Sequence, residues 1–207
     1  MRDRTILILA AILIVVPISA RADIIINGSF EAPIQPAGTW GIYTLIPGWQ
    51  TTEGSGIEVR NNVAGIAYDG VNFVELDANF NSAMSQTVGT VADSDYTLSY
   101  YYAPRPGVSS ASNYIELYFN GILIDSVTGQ TSSNDAWSLR SFTVTGTGLD
   151  IITFKSAGTS DSYGGSIDAV SMALVDPGPA SVPEPGSLLL LGSGLSIVGF
   201  AAWRRRK

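Results

Sequence analysis

The sequence contains no cysteine and no histidine, and its cations are scarce, with 11 Lys and Arg against 18 Asp and Glu in 207 residues. Without cysteine, disulfides cannot stabilise the chain. Without histidine, a Ser-His-Asp triad, a Cys-His pair and imidazole-ligated zinc are all excluded, which leaves carboxylates as the available acid–base groups. Seven of the cations lie near the termini (Arg2, Arg4, Arg21 and the final four residues). Between Asp23 and Gly186 only Arg60, Arg105, Arg140 and Lys155 stand against 17 acids, a net charge of −13. Such a surface repels phosphate backbones, so no nucleic-acid partner is expected, and it favours divalent cations.

The two ends carry the long apolar runs. Arg2 and Arg4 precede an apolar run from Ile6 to Ile18, followed by the small-residue pattern Ala20-Arg21-Ala22. This is the pattern of a secretory signal peptide over 1–22 with cleavage after Ala22. At the other end, residues 187–203 give 17 positions without a charge, just enough to span a bilayer where a helix usually needs about 20. Arg204, Arg205, Arg206 and Lys207 then form a cytoplasmic stop at 204–207, so the body faces outward. Residues 176–186 hold four prolines among eleven positions and read as an extended linker.

The stretch between, 23–175, is long enough for one domain with its own core. Short β-branched and aromatic runs alternate with Gly, Asn, Asp, Pro or Ser about every ten residues, and no stretch has a convincing helical period. Strands are expected at 24–26, 41–45, 57–60, 72–76, 83–88, 96–102, 114–119, 122–127, 138–145, 151–155 and 166–175. In 114–119 the period of two puts Ile115, Leu117 and Phe119 on one face. Asn120-Gly121 follows as a type I′ hairpin turn, which needs positive φ at both positions. In 138–145, Leu139, Ser141, Thr143 and Thr145 oppose Arg140, Phe142 and Val144, with either set free to face the core. Many antiparallel strands without intervening helices indicate an all-β, two-sheet antiparallel β-sandwich of jelly-roll type.

Val182-Pro183-Glu184-Pro185, followed by the apolar run and the basic end, closely resembles the PEP-CTERM sorting signal of bacterial exported proteins. The resemblance implies recognition by an exosortase, a membrane cysteine protease-transpeptidase of Gram-negative bacteria that make exopolysaccharide. A second resemblance runs along the body, through Asn27-Gly28-Ser29-Phe30-Glu31, Pro47-Gly48-Trp49, Phe73-Val74-Glu75-Leu76, Ser85-Gln86-Thr87-Val88, Tyr96-Thr97-Leu98-Ser99-Tyr100 and Ser166-Ile167-Asp168-Ala169-Val170. These resemble galactose-binding-like β-sandwich modules, a group with many carbohydrate-binding modules and the DUF642 proteins. The stretch 51–70 matches no motif of that group.

By this resemblance Glu31 and Asp168 are candidate ligands of a structural calcium, whose preference for oxygen donors suits a chain without histidine. The alternative is that both are ordinary solvated or N–H-bonded acids. Glu75 and Asp77, two apart in a strand pattern, point to one side and suit a glycosidase pair by separation alone; solvated surface acids are the competing reading. Aromatic side chains at turns and strand ends stack on the apolar faces of sugars, and Trp40, Tyr43 and Tyr163 are the chosen ligand-binding candidates, within a wider set that also holds Trp49, Tyr68, Tyr101, Tyr102 and Trp137. Trp49, Phe30, Phe73, Phe119 and Phe154 are assigned to the core.

The resulting expectation is an exported, non-enzymatic β-sandwich, anchored as a precursor in the inner membrane, processed by exosortase, and associated at the cell surface with extracellular polysaccharide. A glycan hydrolase working through carboxylates and an adhesin-like unit without sugar affinity are the alternatives.

Overall fold

The computed structural model describes residues 22–175, and the chain folds there into twelve strands and no helix. The signal peptide, the proline-rich linker with Val182, Pro183, Glu184 and Pro185, the apolar tail and the basic end lie outside the described residues, apart from Ala22. Among the described residues no helix is long and apolar enough to cross a membrane.

The strands are β1 (Thr39–Tyr43), β2 (Leu45–Ile46), β3 (Trp49–Glu53), β4 (Ile57–Asn61), β5 (Asn72–Glu75), β6 (Ala83–Gly89), β7 (Asp95–Ala103), β8 (Ile115–Phe119), β9 (Ile122–Val127), β10 (Ser138–Thr145), β11 (Leu149–Ser156) and β12 (Ser166–Leu174). They form two six-stranded sheets. One has the order β1-β4-β5-β12-β7-β10 and the other β2-β3-β6-β11-β8-β9. Every pairing with a described register is antiparallel. The two-sheet sandwich read from the sequence is the fold.

The core forms where the inward-pointing alternate residues of both sheets meet. In β7, Tyr96, Leu98, Tyr100 and Tyr102 are buried while Thr97, Ser99 and Tyr101 point away. Three of these tyrosines keep a polar partner. Tyr100 Oη donates to Asp125 Oδ2 (2.8 Å), Tyr102 Oη donates to the Asn113 carbonyl (2.9 Å), and Tyr96 Oη accepts from the Val91 N–H (2.9 Å). At the centre Trp49 lies between Phe30 and Phe154, with ring centroids at 5.8 and 5.9 Å, and Tyr100 meets Phe154 edge-on at 4.9 Å. In β10 it is the Arg140, Phe142 and Val144 set that turns inward, opposite Tyr100, Leu98 and Tyr96. Arg140 there pairs with Asp125 of β9 at 2.6 and 2.8 Å, an ion pair that closes one open side of the sandwich between its two sheets.

The motif Asn27 to Glu31 has a mechanical reason. The Asn27 amide donates to the Ala32 and Pro47 carbonyls and its oxygen accepts from the Ala32 N–H, tying three segments together. A Cβ on Gly28 would lie 1.9 Å from the Val170 carbonyl oxygen, so only glycine allows the opening segment to lie against β12, where the Val170 N–H donates to the Gly28 carbonyl. The Asn120-Gly121 hairpin forms with φ of 52° and 77°, as a type I′ turn requires.

Three segments differ from the expectation. Residues 41–45 are not one strand: β1 ends at Tyr43 in the first sheet and β2, from Leu45, belongs to the second, so the chain changes sheets at Thr44. Residues 24–26 do not join a ladder as a strand: Ile26 bonds with both backbone groups to the side-chain amide of Gln86 (2.7 and 3.0 Å), so a glutamine takes the place of a neighbouring strand. Residues 49–53 do form a strand, β3, although after Trp49 they hold no apolar residue and show no alternation. Backbone pairing to β2 and β6 defines this strand, with Trp49 as its single buried anchor.

Candidate functional site

The first sheet is unusual in being covered on both sides. The register pairs Val59 with Val74 on the core side, which turns Glu58, Arg60, Phe73 and Glu75 to the outer side. Trp40 stands beside Arg60 from β1, and Ser166 and Asp168 continue the outer row from β12, since Ile167 faces the core. Yet Glu58, Arg60, Phe73, Glu75 and Asp168 are all buried. Their cover is four loops: 62–71, 104–113, 128–137 and 157–165.

Under the last of these sits a line of alternating charge. Arg60 pairs with Glu58 and Glu75, and Glu75 also meets Arg105 Nη1 at 3.2 Å and accepts from the Gly164 N–H at 2.9 Å. Burial pushes the Glu75 carboxyl up to about 8 against the pull of Arg60 and Arg105. Asp77 lies beside it, accepting from the Asp161 N–H at 2.9 Å. Both acids sit beneath Gly164, whose modest size leaves 3.1 and 3.3 Å between a would-be Cβ and Asp77 Cβ and Glu75 Cγ. The two therefore share one side, as their spacing predicts, but as buried hydrogen-bonded groups rather than solvated ones. Arg105 carries the line to the surface, where Tyr163 stacks over its guanidinium at 4.4 Å.

The second feature is an aromatic platform. Tyr68 lies face to face with Tyr101 of β7 at 3.4 Å and 15°, Trp137 stands edge-on to Tyr68 at 6.4 Å, and Trp137 rests on buried Phe73 at 5.9 Å. Tyr68 remains 48% exposed, so its far face is open to a ligand. Trp137 Nε1 donates to the Ile66 carbonyl at 2.9 Å, and the Ile66 N–H donates to the Asn134 carbonyl, which joins the two loops that bear the platform. A shallow cleft of about 300 Å³ lies on the same loop, lined by Asn61, Asn62, Ile66, Ala67, Gly70 and Val71.

Glu31 and Asp168 set the position of that loop. Glu31 Oε1 accepts from the N–H groups of Val71 and Asn72, each at 2.8 Å. Asp168 Oδ2 accepts from Tyr68 and Asp69, at 2.8 and 3.0 Å, and its Oδ1 from Ala169. Glycine at 70 is required for this, because a Cβ there would fall 2.4 Å from Glu31 Oε1 and φ is +67°. Burial pushes Asp168 up to about 7, and the three N–H donors pull the other way. These positions do not fit a shared calcium site. Glu31 Oε1 and both oxygens of Asp168 are aimed at amide hydrogens, and each acid clamps backbone, as in the N–H-bonded alternative.

Of the three ligand-binding candidates, Trp40 (54% exposed) and Tyr163 (47% exposed) lie on the outer side of the first sheet, at opposite ends of the Arg60–Glu75–Arg105 line. Tyr43 is corrected: it pairs with Ile57 on the inward side, packs against the core and donates its hydroxyl to Gln35 Oε1 at 3.0 Å. The core assignments of Trp49, Phe30, Phe73, Phe119 and Phe154 hold for burial, with Phe73 buried under the platform instead of between the sheets. Sequence reasoning passed over Tyr68, Tyr101 and Trp137 as a unit because they are 33 and 36 residues apart and the loop bearing Tyr68 matches no motif.

Residues 181–207 match the model of the PEP-CTERM protein-sorting motif, so the chain carries that signal at its C-terminus, the mark of a membrane-anchored precursor exported to the surface. Among curated proteins, the multifunctional-autoprocessing repeats-in-toxin of Vibrio cholerae serotype O1 and of Vibrio vulnificus are each 28% identical over 152 residues, or 72% of this chain. The chain spans only 3% of the length of these relatives. Among solved structures, the Stig cyclase Fisc from Fischerella sp. TAU aligns over 75% of this chain and 98% of its own, with a TM-score of 0.54 and 17% identity. The arabinose-bound α-L-arabinofuranosidase MgGH51 aligns over 74% of this chain and 26% of its own, with a TM-score of 0.52 and 12% identity. Identities at this level show a shared fold. The expectation of a non-enzymatic body is corrected by them, because a cyclase consists almost entirely of a sandwich of this fold, and the fold therefore does not separate binding from catalysis.

Proposed function

We propose that the chain is exported, is processed by an exosortase near Pro183-Glu184-Pro185, and binds exopolysaccharide at the cell surface through the platform of Tyr68, Tyr101 and Trp137. The observation that carries the binding reading is the exposed face of Tyr68, pre-stacked on Tyr101 and braced by Trp137. Sugar rings present apolar C–H faces that such a surface removes from water, and a rigid platform loses little freedom on binding. The arabinofuranosidase shows that a glycan-acting enzyme houses a sandwich of like fold, which supports this reading. Signal-peptide removal after Ala22, a short spanning helix at 187–203 and retention of Arg204 to Lys207 in the cytoplasm complete the delivery route.

Titration calorimetry against the producing cell's own polysaccharide tests the site. Tyr68→Ala is expected to weaken binding about fivefold or more with the melting temperature little changed, since one stacked ring contributes roughly 1 kcal/mol or more. Equal affinity in wild type and variant overturns the platform, and no heat for any glycan overturns sugar binding. Mass measurement of the mature protein from cells checks both trimmed ends.

A further inference from the structure

Resting on the sugar-binding reading, we infer that the platform takes a polysaccharide bearing free amino groups, a cationic hexosamine polymer, in preference to a neutral or anionic one. The first ground is the state of the body's cations. Among the described residues there are four, and each is spent: Arg60 on Glu58 and Glu75, Arg105 on Glu75, Arg140 on Asp125, and Lys155 on Glu53. Arg60, Arg105 and Arg140 keep side-chain exposures of only 3, 17 and 35%. A uronate or sulfate ester approaching this surface therefore meets no unpaired cation, and it faces the repulsion of a body in which fifteen acids stand against those four.

The second ground is local. The platform is flanked by two exposed carboxylates, Asp69 next to Tyr68 and Asp135 two residues before Trp137, and no described lysine or arginine pairs with either. Backbone bonds fix the two residues, and Asp135 Oδ1 accepts from the Ser133 hydroxyl. The Asp69 N–H is fixed to Asp168, and the Asp135 carbonyl accepts from the Trp137 N–H at 2.8 Å. The Tyr68 phenol registers the field: the hydrogen bond with Tyr101 raises its pKa first, and the charges of Asp69 and Asp168 raise it further. Electron-rich ring faces rimmed by carboxylates attract an ammonium, by cation–π attraction at the face and ion pairing at the rim. An N-acetyl group on the same nitrogen removes that charge and leaves only ring stacking.

The test compares three oligosaccharides at about pH 6, where sugar amines are protonated: a β-1,4-linked glucosamine hexamer, its fully N-acetylated counterpart and an oligogalacturonate. The expected result is binding of the glucosamine hexamer at least about tenfold tighter than the N-acetylated one, and no detectable binding of the oligogalacturonate. The double variant Asp69→Asn/Asp135→Asn, both positions being exposed, is expected to reduce that preference to less than about threefold while the N-acetylated hexamer binds as before. Raising sodium chloride from about 20 to about 300 mM is expected to shrink the preference in the wild type. Equal binding of both hexamers overturns the inference and leaves the sugar-binding reading standing, as does tighter binding of the oligogalacturonate. Binding of none of the three, with a neutral cell polysaccharide bound well, also overturns the inference alone. Failure of every glycan overturns both.

Discussion

The two sheets share one apolar core and differ on their outer sides. On the second sheet the outward residues Thr87, Ile151, Thr153, Tyr118 and Glu116 are exposed or half-buried, only the small Ala83 and Ser85 of β6 being buried in that outer row, and strands β8 and β11 keep a simple alternation. On the first sheet β4 and β5 are buried at every position, with two acids and an arginine among them. A strand buried on both sides would ordinarily be apolar throughout. Here the outer layer is polar and self-neutralising, and loops cover it. The difference teaches that the second sheet serves as scaffold, whereas the first carries a constructed surface whose burial costs stability and is retained with a loop-borne platform on top.

The largest expected effect breaks this contrast at its centre. Arg60→Ala leaves Glu58 and Glu75 buried without their shared partner and is expected to cost about 3–5 kcal/mol, whereas Thr87→Ala on the exposed side of the second sheet stays within about 0.5 kcal/mol. Urea unfolding of both variants checks the pair, and similar losses would show that the two outer sides are equivalent.

Next in size is the pH response. Glu75 and Asp168 on the first sheet have pKa values raised to about 8 and about 7, so the folded state holds protons there that the unfolded chain has released. Their contribution to stability therefore falls as pH rises from about 4 to about 8. Asp150, where burial is outweighed by hydrogen bonds from Asn120, Thr147 and Thr90, is lowered to about 2, and Asp125 is also lowered, by Arg140 and Tyr100. These two act in the opposite sense, losing stability as pH drops below about 4. Unfolding curves at a series of pH values should show both limbs, and Glu75→Gln should flatten the upper one.

The smallest effect concerns the clamp. Chelation with EDTA is expected to leave the melting temperature unchanged, because N–H donors occupy Glu31 Oε1 and both carboxylate oxygens of Asp168. Asp168→Asn, which turns an acceptor pair partly into a donor, is expected to cost about 1–3 kcal/mol. A melting temperature that falls on chelation would restore calcium to this site.

The fold was legible where side chains alternate. Ile115, Leu117 and Phe119, the Asn120-Gly121 turn and Tyr96 to Tyr102 all follow from a period of two and from turn chemistry. It was hidden where backbone or a lone side chain does the pairing, as in β3 and at Ile26 with Gln86. The site was half legible. Trp40 and Tyr163 were named as exposed aromatic candidates, and Glu75 with Asp77 were set on one side, because these follow from single residues or short spacings. The platform and the clamp were not, since Tyr68 meets Tyr101 and Asp168 across loops whose conformation depends on Gly70 and on amide donors that leave no mark on composition.

The position of β12 has a consequence for how such a molecule is made. It is the last strand in sequence, yet it lies between β5 and β7, so until residues 166–174 are available the first sheet exists only as two separate pieces, β1-β4-β5 and β7-β10. A chain that emerges N-terminus first therefore completes no sandwich until its last described strand is present, so closure of the first sheet waits on residues 166–174.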